Sequence, residues 1–192
     1  MNYTEYQKML ETACNTILNG GIILYPTDTV FGLGCNGLNE KAVKKIEKIK
    51  KVEEKKPISA VFGHIDIIKQ YCKVSKEQEE ILNIYLPGPY TFILPLKKQL
   101  PLSTNNTLGV RIPNDKFCID LGKTLKLPIA STSANINKEP TQFQLNEINK
   151  EIIEQVDYII KGECKEKEAS TIVNLINNIS IIRQGTGIFE IR

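Results

Sequence analysis

The chain of 192 residues has no tryptophan, one histidine (His64) and five cysteines. A Ser-His-Asp triad would therefore hang wholly on His64, and no G-x-S-x-G elbow is present to hold a serine nucleophile. Cys14, Cys35, Cys72, Cys118 and Cys164 are scattered, with no C-x-x-C pair. That spacing supports no zinc site and reads as reduced thiols of a cytoplasmic protein. No G-x-x-x-x-G-K-[ST] occurs, which argues against a Walker-type nucleotide site, and no G-x-G-x-x-G follows a strand. No apolar run reaches the ~18 residues of a membrane helix. The opening stretch "MNYTEYQKML" is polar, without the apolar core of a signal peptide. A large charge of one sign is also missing: the formal net charge is +3. Any catalysis has to rest on positioning and local electrostatics.

What is present is an ordinary globular composition, 41% hydrophobic and 24% charged. The length suggests one domain over residues 1–192, which buries roughly 70% of its unfolded surface. Tyr6, Met9, Leu10, Ala13, Ile17 and Leu18 recur at helical spacing and Gly20-Gly21 ends that element. Asn39 opens a helix running to about Lys51, Ser75-Lys76-Glu77-Gln78 is a capping box, and Asn114 is the expected cap of a helix carrying Phe117, Leu121 and Leu125. Strands are expected at 22–25, 58–62, 90–96, 108–112, 128–131, 156–160, 171–175 and 180–183. Helices and strands mix without strict alternation, so the fold class is α/β (α+β) with a mixed sheet.

Several stretches carry polar groups where apolar strands end. In "ILYPTDT", Pro26 stops the ladder and Thr27, Asp28 and Thr29 follow. This is either a local turn with hydroxyls bonded to the backbone, or a ligand edge at a strand's C-terminal end. The segment 41–57 is rich in lysine, most of it suited to a solvated helix face. Lys50 differs, because it falls on the Val43/Ile46 stripe and could face a pocket as a point charge for phosphate. Arg111 interrupts the apolar "TLGVRIP"; alternation turns it away from Val110 and Ile112, toward solvent or toward an anion. "PIASTSANINKEPT" gathers Ser131, Thr132, Ser133, Asn135 and Thr141, either an ordinary polar loop or a set of neutral donors and acceptors for a small polar molecule. Ser170 and Thr171 stand beside another strand, and Arg183 precedes a glycine turn.

"YPTDTVFGLG", "IKKVEEKKP", "YLPGPYTFIL", "LGVRIP", "STSAN", "EASTIVNL" and "IIRQG" occur in the order seen in the YrdC/TsaC family, and the chain resembles it from about residue 8 to 188. The resemblance implies a YrdC-like twisted mixed sheet flanked by helices around a positively charged cavity, in the single-domain form. It implies a nucleotidyltransferase that makes L-threonylcarbamoyladenylate and pyrophosphate from L-threonine, bicarbonate and ATP, with Mg²⁺, in the cytoplasm. Other proteins would then pass the threonylcarbamoyl group to a tRNA adenosine. By the same resemblance Thr29, Arg111, Ser133 and Ser170 hold threonine. Lys50, Lys56, Thr107, Asn135, Thr141 and Arg183 serve ATP, with Lys50 and Arg183 in the catalytic roles and no protein-held metal. Two departures stand out. Val52 occupies the place of the family's arginine in K-x-R, leaving Lys51, Lys55 or Lys56 to supply that charge. Ile136-Asn137 stands where the family often has Ser-Gly, in a shorter loop. The lost arginine keeps open a second reading, a paralogue that binds tRNA or double-stranded RNA without synthase activity. A carbamoyltransferase domain of the hydrogenase-maturation type is the third and weakest, since those domains sit inside much longer chains.

Overall fold

The computed structural model describes residues 2–54, 56–166 and 168–190. It opens with α1 (Tyr3–Leu18), whose Asn2 cap and Glu5 satisfy each other's backbone N–H groups and whose exit passes through Gly20 at φ +80°. Then follow β1 (Ile23–Tyr25), β2 (Gly32–Asn36), α2 (Glu40–Ile49), β3 (Ser59–Val61), α3 (Ile65–Tyr71), α4 (Lys76–Tyr85), β4 (Tyr90–Pro95) and β5 (Thr107–Arg111). The chain ends with α5 (Lys116–Leu125), β6 (Ile129–Ser133), a short 3₁₀ turn, α6 (Lys150–Ile153), β7 (Tyr158–Ile159), β8 (Thr171–Asn174) and β9 (Ser180–Arg183).

Among the described residues the strands form one sheet in the order β7-β1-β2-β6-β3-β5-β4-β8-β9. The β1–β7, β3–β5 and β4–β8 pairs are parallel and the rest antiparallel, the mixed sheet that the irregular order of elements implied. Side-chain alternation sorts the residues between two faces. Ile22 and Leu24 enter a large core with Phe31, Leu33, Ile46, Phe62, Phe92 and Val110, which α2, α3 and α4 cover. Ile23 and Tyr25 enter a second core with Ile17, Val61, Phe117, Leu121 and Ile129, beneath α1 and α5.

The structure corrects three expectations. Gly32–Asn36 is a strand although none was expected there; its two glycines hide it, because glycine is a poor strand former. Those glycines instead clear space for Tyr25, since a Cβ on Gly34 would lie 2.8 Å from the Tyr25 ring. The cap of α5 is Asp115, whose carboxylate accepts the Cys118 N–H at 2.9 Å, while the Asn114 N–H turns to Asp28 at 2.8 Å. The strand expected at 128–131 runs on to Ser133, which puts Thr132 and Ser133 into the ladder opposite Leu33 and Gly32. The caps at Asn39 and Ser75 are where the sequence put them.

Candidate active site

The second face of the sheet is only partly covered by α1 and α5. Register identifies the remainder. Ser59 pairs with Ser131, Val61 with Arg111, and Gly32 with Ser133. Phe92 pairs with Val110, so the neighbouring Thr91 and Arg111 share the opposite face. Here the strands carry small polar side chains in place of Ile and Val. They floor a cavity of about 240 Å³ whose rim includes Thr141, Ala169, Ser170 and Arg183. Among the described residues its charged wall groups are two guanidiniums, Arg111 and Arg183, with no carboxylate. Their mutual repulsion and burial lower the Arg183 pKa, burial being the larger cause. An anion placed between them relieves that repulsion.

Arg111 is 9% exposed. Its Nη2 donates to the Asp28 carboxylate and, at 2.8 Å, to the Thr29 hydroxyl. Its Nε–H is buried and has no acceptor. A buried donor left alone costs about 1–3 kcal/mol, which a ligand carboxylate would recover. Burial raises the Asp28 carboxyl pKa, and Arg111 together with the Asn114 N–H works against it.

The "PTDT" stretch combines both of its readings. The Thr27 hydroxyl donates to the Val30 carbonyl at 2.8 Å and accepts from the N–H groups of Thr29 and Val30, which is a local turn. That turn delivers Asp28 and Thr29 to Arg111. On the far rim, the Arg183 guanidinium grips the Ser170 carbonyl through Nη2 at 2.7 Å and Nε at 3.2 Å. The Ser170 hydroxyl lies 2.8 Å from that of Thr91. Beneath the Ser-Ala-Asn loop, Lys50 caps the C-terminus of α2 and donates to the Ser133 carbonyl (2.5 Å), the Asn135 carbonyl (2.7 Å) and Asn135 Oδ1 (3.1 Å). Burial pushes its ammonium down to about 8.

Of the residues expected in the site, Arg111, Ser133, Ser170, Thr141 and Arg183 line the cavity. Thr29, Asn135 and Lys50 stand one contact behind it, through Arg111 and Ser133. Lys56 is exposed and reaches Asn137 Oδ1 at 3.2 Å. Thr107 is not brought in: it starts β5, four residues from Arg111, about 13 Å away along a strand. Among the candidates for the missing arginine, Lys51 pairs with Glu151 at 2.6 Å, and Lys55 lies outside the described residues. Ser59 and Thr91 are wall residues that the sequence reading did not single out; each is a small polar residue in an otherwise largely apolar strand, set on the wall by cross-strand register.

The Sua5/YciO/YrdC family model, described as "Telomere recombination", matches residues 15–185. A protein of Methanocaldococcus jannaschii is 37% identical over 188 residues, 96% of this chain and 89% of its own. A threonylcarbamoyl-AMP synthase of Xanthomonas campestris is 32% identical over 160 residues, 80% of this chain and 86% of its own. The crystal structure of P. abyssi Sua5 complexed with L-threonine superposes with a TM-score of 0.86 at 27% identity and covers 92% of this chain. This chain spans about half (54%) of that Sua5 chain's length. The matching order of motifs, the shared mixed sheet and the extent of these similarities together show that the chain belongs to the Sua5/YciO/YrdC family.

Proposed function

We propose that the protein is a threonylcarbamoyl-AMP synthase that converts L-threonine, bicarbonate and ATP to threonylcarbamoyl-AMP and pyrophosphate. The observation that carries this reading is Arg111: a guanidinium on the cavity wall with a buried, unpartnered Nε–H, on a wall shared with Ser59, Thr91, Ser133 and Ser170. A guanidinium donates charge-assisted bonds to a carboxylate. The hydroxyls reward the threonine Oγ and penalise an amino acid that leaves them unpaired. The cavity is smaller than the ~300 Å³ at which drug-sized pockets begin, so it suits an amino acid and the nucleotide extends beyond its mouth.

The threonine amine takes up the bicarbonate carbon with loss of water; the carbamate so formed is already an anion, and its oxygen bonds to the α-phosphorus without a protein base as the bond to pyrophosphate breaks. Charge then builds on the phosphoryl oxygens and on the departing pyrophosphate, and fixed cations stabilise it. Arg183 is the cation on the rim, with Lys56 on the neighbouring loop. Among the described residues the cavity wall carries no carboxylate to hold Mg²⁺. Mg²⁺ would instead arrive on the triphosphate, as it commonly does.

The product is a reactive mixed anhydride. By this reading it is consumed by proteins that transfer the threonylcarbamoyl group to a tRNA adenosine, in the cytoplasm. No helix among the described residues is long and apolar enough to cross a membrane. The test is pyrophosphate release by the protein with ATP, Mg²⁺ and bicarbonate. Release that requires L-threonine supports the synthase. Salt-sensitive RNA binding without turnover would instead support the non-catalytic paralogue.

A further inference from the structure

We propose that Asp28 is a positioning residue for the amino-acid carboxylate. With Thr29, it holds Nη2 of Arg111 from behind the cavity, leaving Nη1 as the donor for one ligand carboxylate. Asp28 also keeps the local charge low enough to discriminate against a second anionic group on that ligand. This inference rests on the threonine reading of the cavity.

Asp28 is 4% exposed and is not on the cavity wall, so it acts through Arg111 and does not touch a ligand. Its own position is fixed from three directions. One carboxylate oxygen meets Arg111 Nη2, the other accepts the Asn114 N–H at 2.8 Å, and its carbonyl accepts the Glu166 N–H at 3.2 Å. Three segments therefore converge on this residue: the end of β5, the turn before α5, and the segment that leads to Ser170. Thr29, fully buried, adds the second acceptor to the same nitrogen at 2.8 Å. A guanidinium with five donors and freedom to swivel is a poor selector; one with both Nη2 protons anchored at two acceptors holds its unpartnered Nη1 at one place. The charge balance follows from the same contact. Among the described residues the wall's charged groups are Arg111 and Arg183, and the Asp28 carboxylate contacts Arg111. Removing its charge raises the positive potential beside Arg111 and favours an amino acid that places a second carboxylate there.

The test is calorimetric titration of the full chain and its Asp28→Asn and Thr29→Val variants with L-threonine, L-aspartate and ATP. For Asp28→Asn, L-threonine should bind about tenfold more weakly, the order expected for loosening a charged hydrogen bond. ATP should stay within about twofold, and L-aspartate should gain relative to L-threonine. Thr29→Val should weaken L-threonine in the same direction. If the unaltered protein takes up no L-threonine, the synthase reading itself fails. If it does, and Asp28→Asn binds L-threonine as well as before, or loses threonine and ATP equally, the positioning role is overturned. Should Asp28→Asn not fold, Thr29→Val decides: unchanged threonine affinity overturns the proposal.

Discussion

Lys50 meets Asn135 twice, through the backbone carbonyl at 2.7 Å and through Oδ1 at 3.1 Å. With the bond to the Ser133 carbonyl, all three ammonium protons are committed to the loop that borders the cavity. The same loop is closed internally, since Asn135 Oδ1 accepts from the Ser133 hydroxyl at 2.6 Å and Asn135 Nδ2 donates to the Glu139 carbonyl at 2.6 Å. The lysine therefore shapes the site by ordering a wall residue, Ser133.

A pH dependence follows. The acceptors at Lys50 are uncharged oxygens, and burial lowers its pKa from the ordinary 10.5 to about 8. Between those values the unfolded chain binds more protons than the folded one, so this group's contribution makes stability rise with pH. Activity should move the other way, because deprotonation removes a donor from the loop. Turnover should fall as pH rises through about 8. Lys50→Met, similar in length and without charge, should be slower at neutral pH and lack that alkaline limb. A pH profile of initial rates checks this; an unchanged limb in Lys50→Met would assign it to another group.

Two backbones touch at Gly63 and Gly122. A Cβ on Gly63 would sit 2.1 Å from the Lys123 nitrogen, and one on Gly122 would sit 2.2 Å from the Gly63 nitrogen. These contacts press α5 against the end of β3. Next to them, the Phe62 N–H bonds the Arg111 carbonyl at 2.9 Å, so the cavity floor shares the joint. Gly63→Ala or Gly122→Ala should destabilise the fold by about 1–3 kcal/mol or more, as backbone must shift to admit the methyl. Denaturant midpoints measure it. Because both methyls enter one space, the double variant should cost less than the sum of the singles.

The caps separate two neighbours that sequence alone confuses. Asp115→Ala removes the acceptor for the Cys118 N–H and should cost about 1 kcal/mol of stability. Asn114→Ala should cost much less, because Asn114's bond to Asp28 uses its backbone N–H, which alanine retains. Thermal or denaturant unfolding of the two variants compares them directly.

That pair illustrates what could be read in advance. Caps and apolar periodicity are local, so the helix starts at Asn39 and Ser75 and most strands were readable from their residues. The facing of Arg111 was readable from alternation too, but whether that face met solvent or a cavity was not, because the answer depends on where α1 and α5 stop covering the sheet. Ser59 and Thr91 reach the wall only through cross-strand register, which no local pattern encodes. Lys50 shares the apolar stripe of α2, as its sequence position indicated, yet its contacts lie behind the loop, since the loop's carbonyls offer a buried ammonium more acceptors than an apolar wall does. Thr107 falls outside because β5 carries it to the opposite end from Arg111.

Val52 leaves the question of which cation replaces the family's arginine. Lys51 holds φ +52° and its ammonium is paired with Glu151 at 2.6 Å, both side chains more than half exposed. Lys56 reaches Asn137, two residues beyond Asn135 on the same loop, through a neutral acceptor at 3.2 Å. A phosphate can recruit Lys56 without breaking an ion pair, whereas Lys51 would have to leave Glu151. Lys56→Ala should therefore raise the KM for ATP by about tenfold, the scale of one lost charge-assisted bond, with the KM for L-threonine little changed. Lys51→Ala should leave both constants nearly unchanged, since an exposed pair contributes at most about 1 kcal/mol. Steady-state kinetics with each substrate varied in turn distinguish the two lysines. Equal losses in both variants, or none in Lys56→Ala, would reject Lys56 as the replacement.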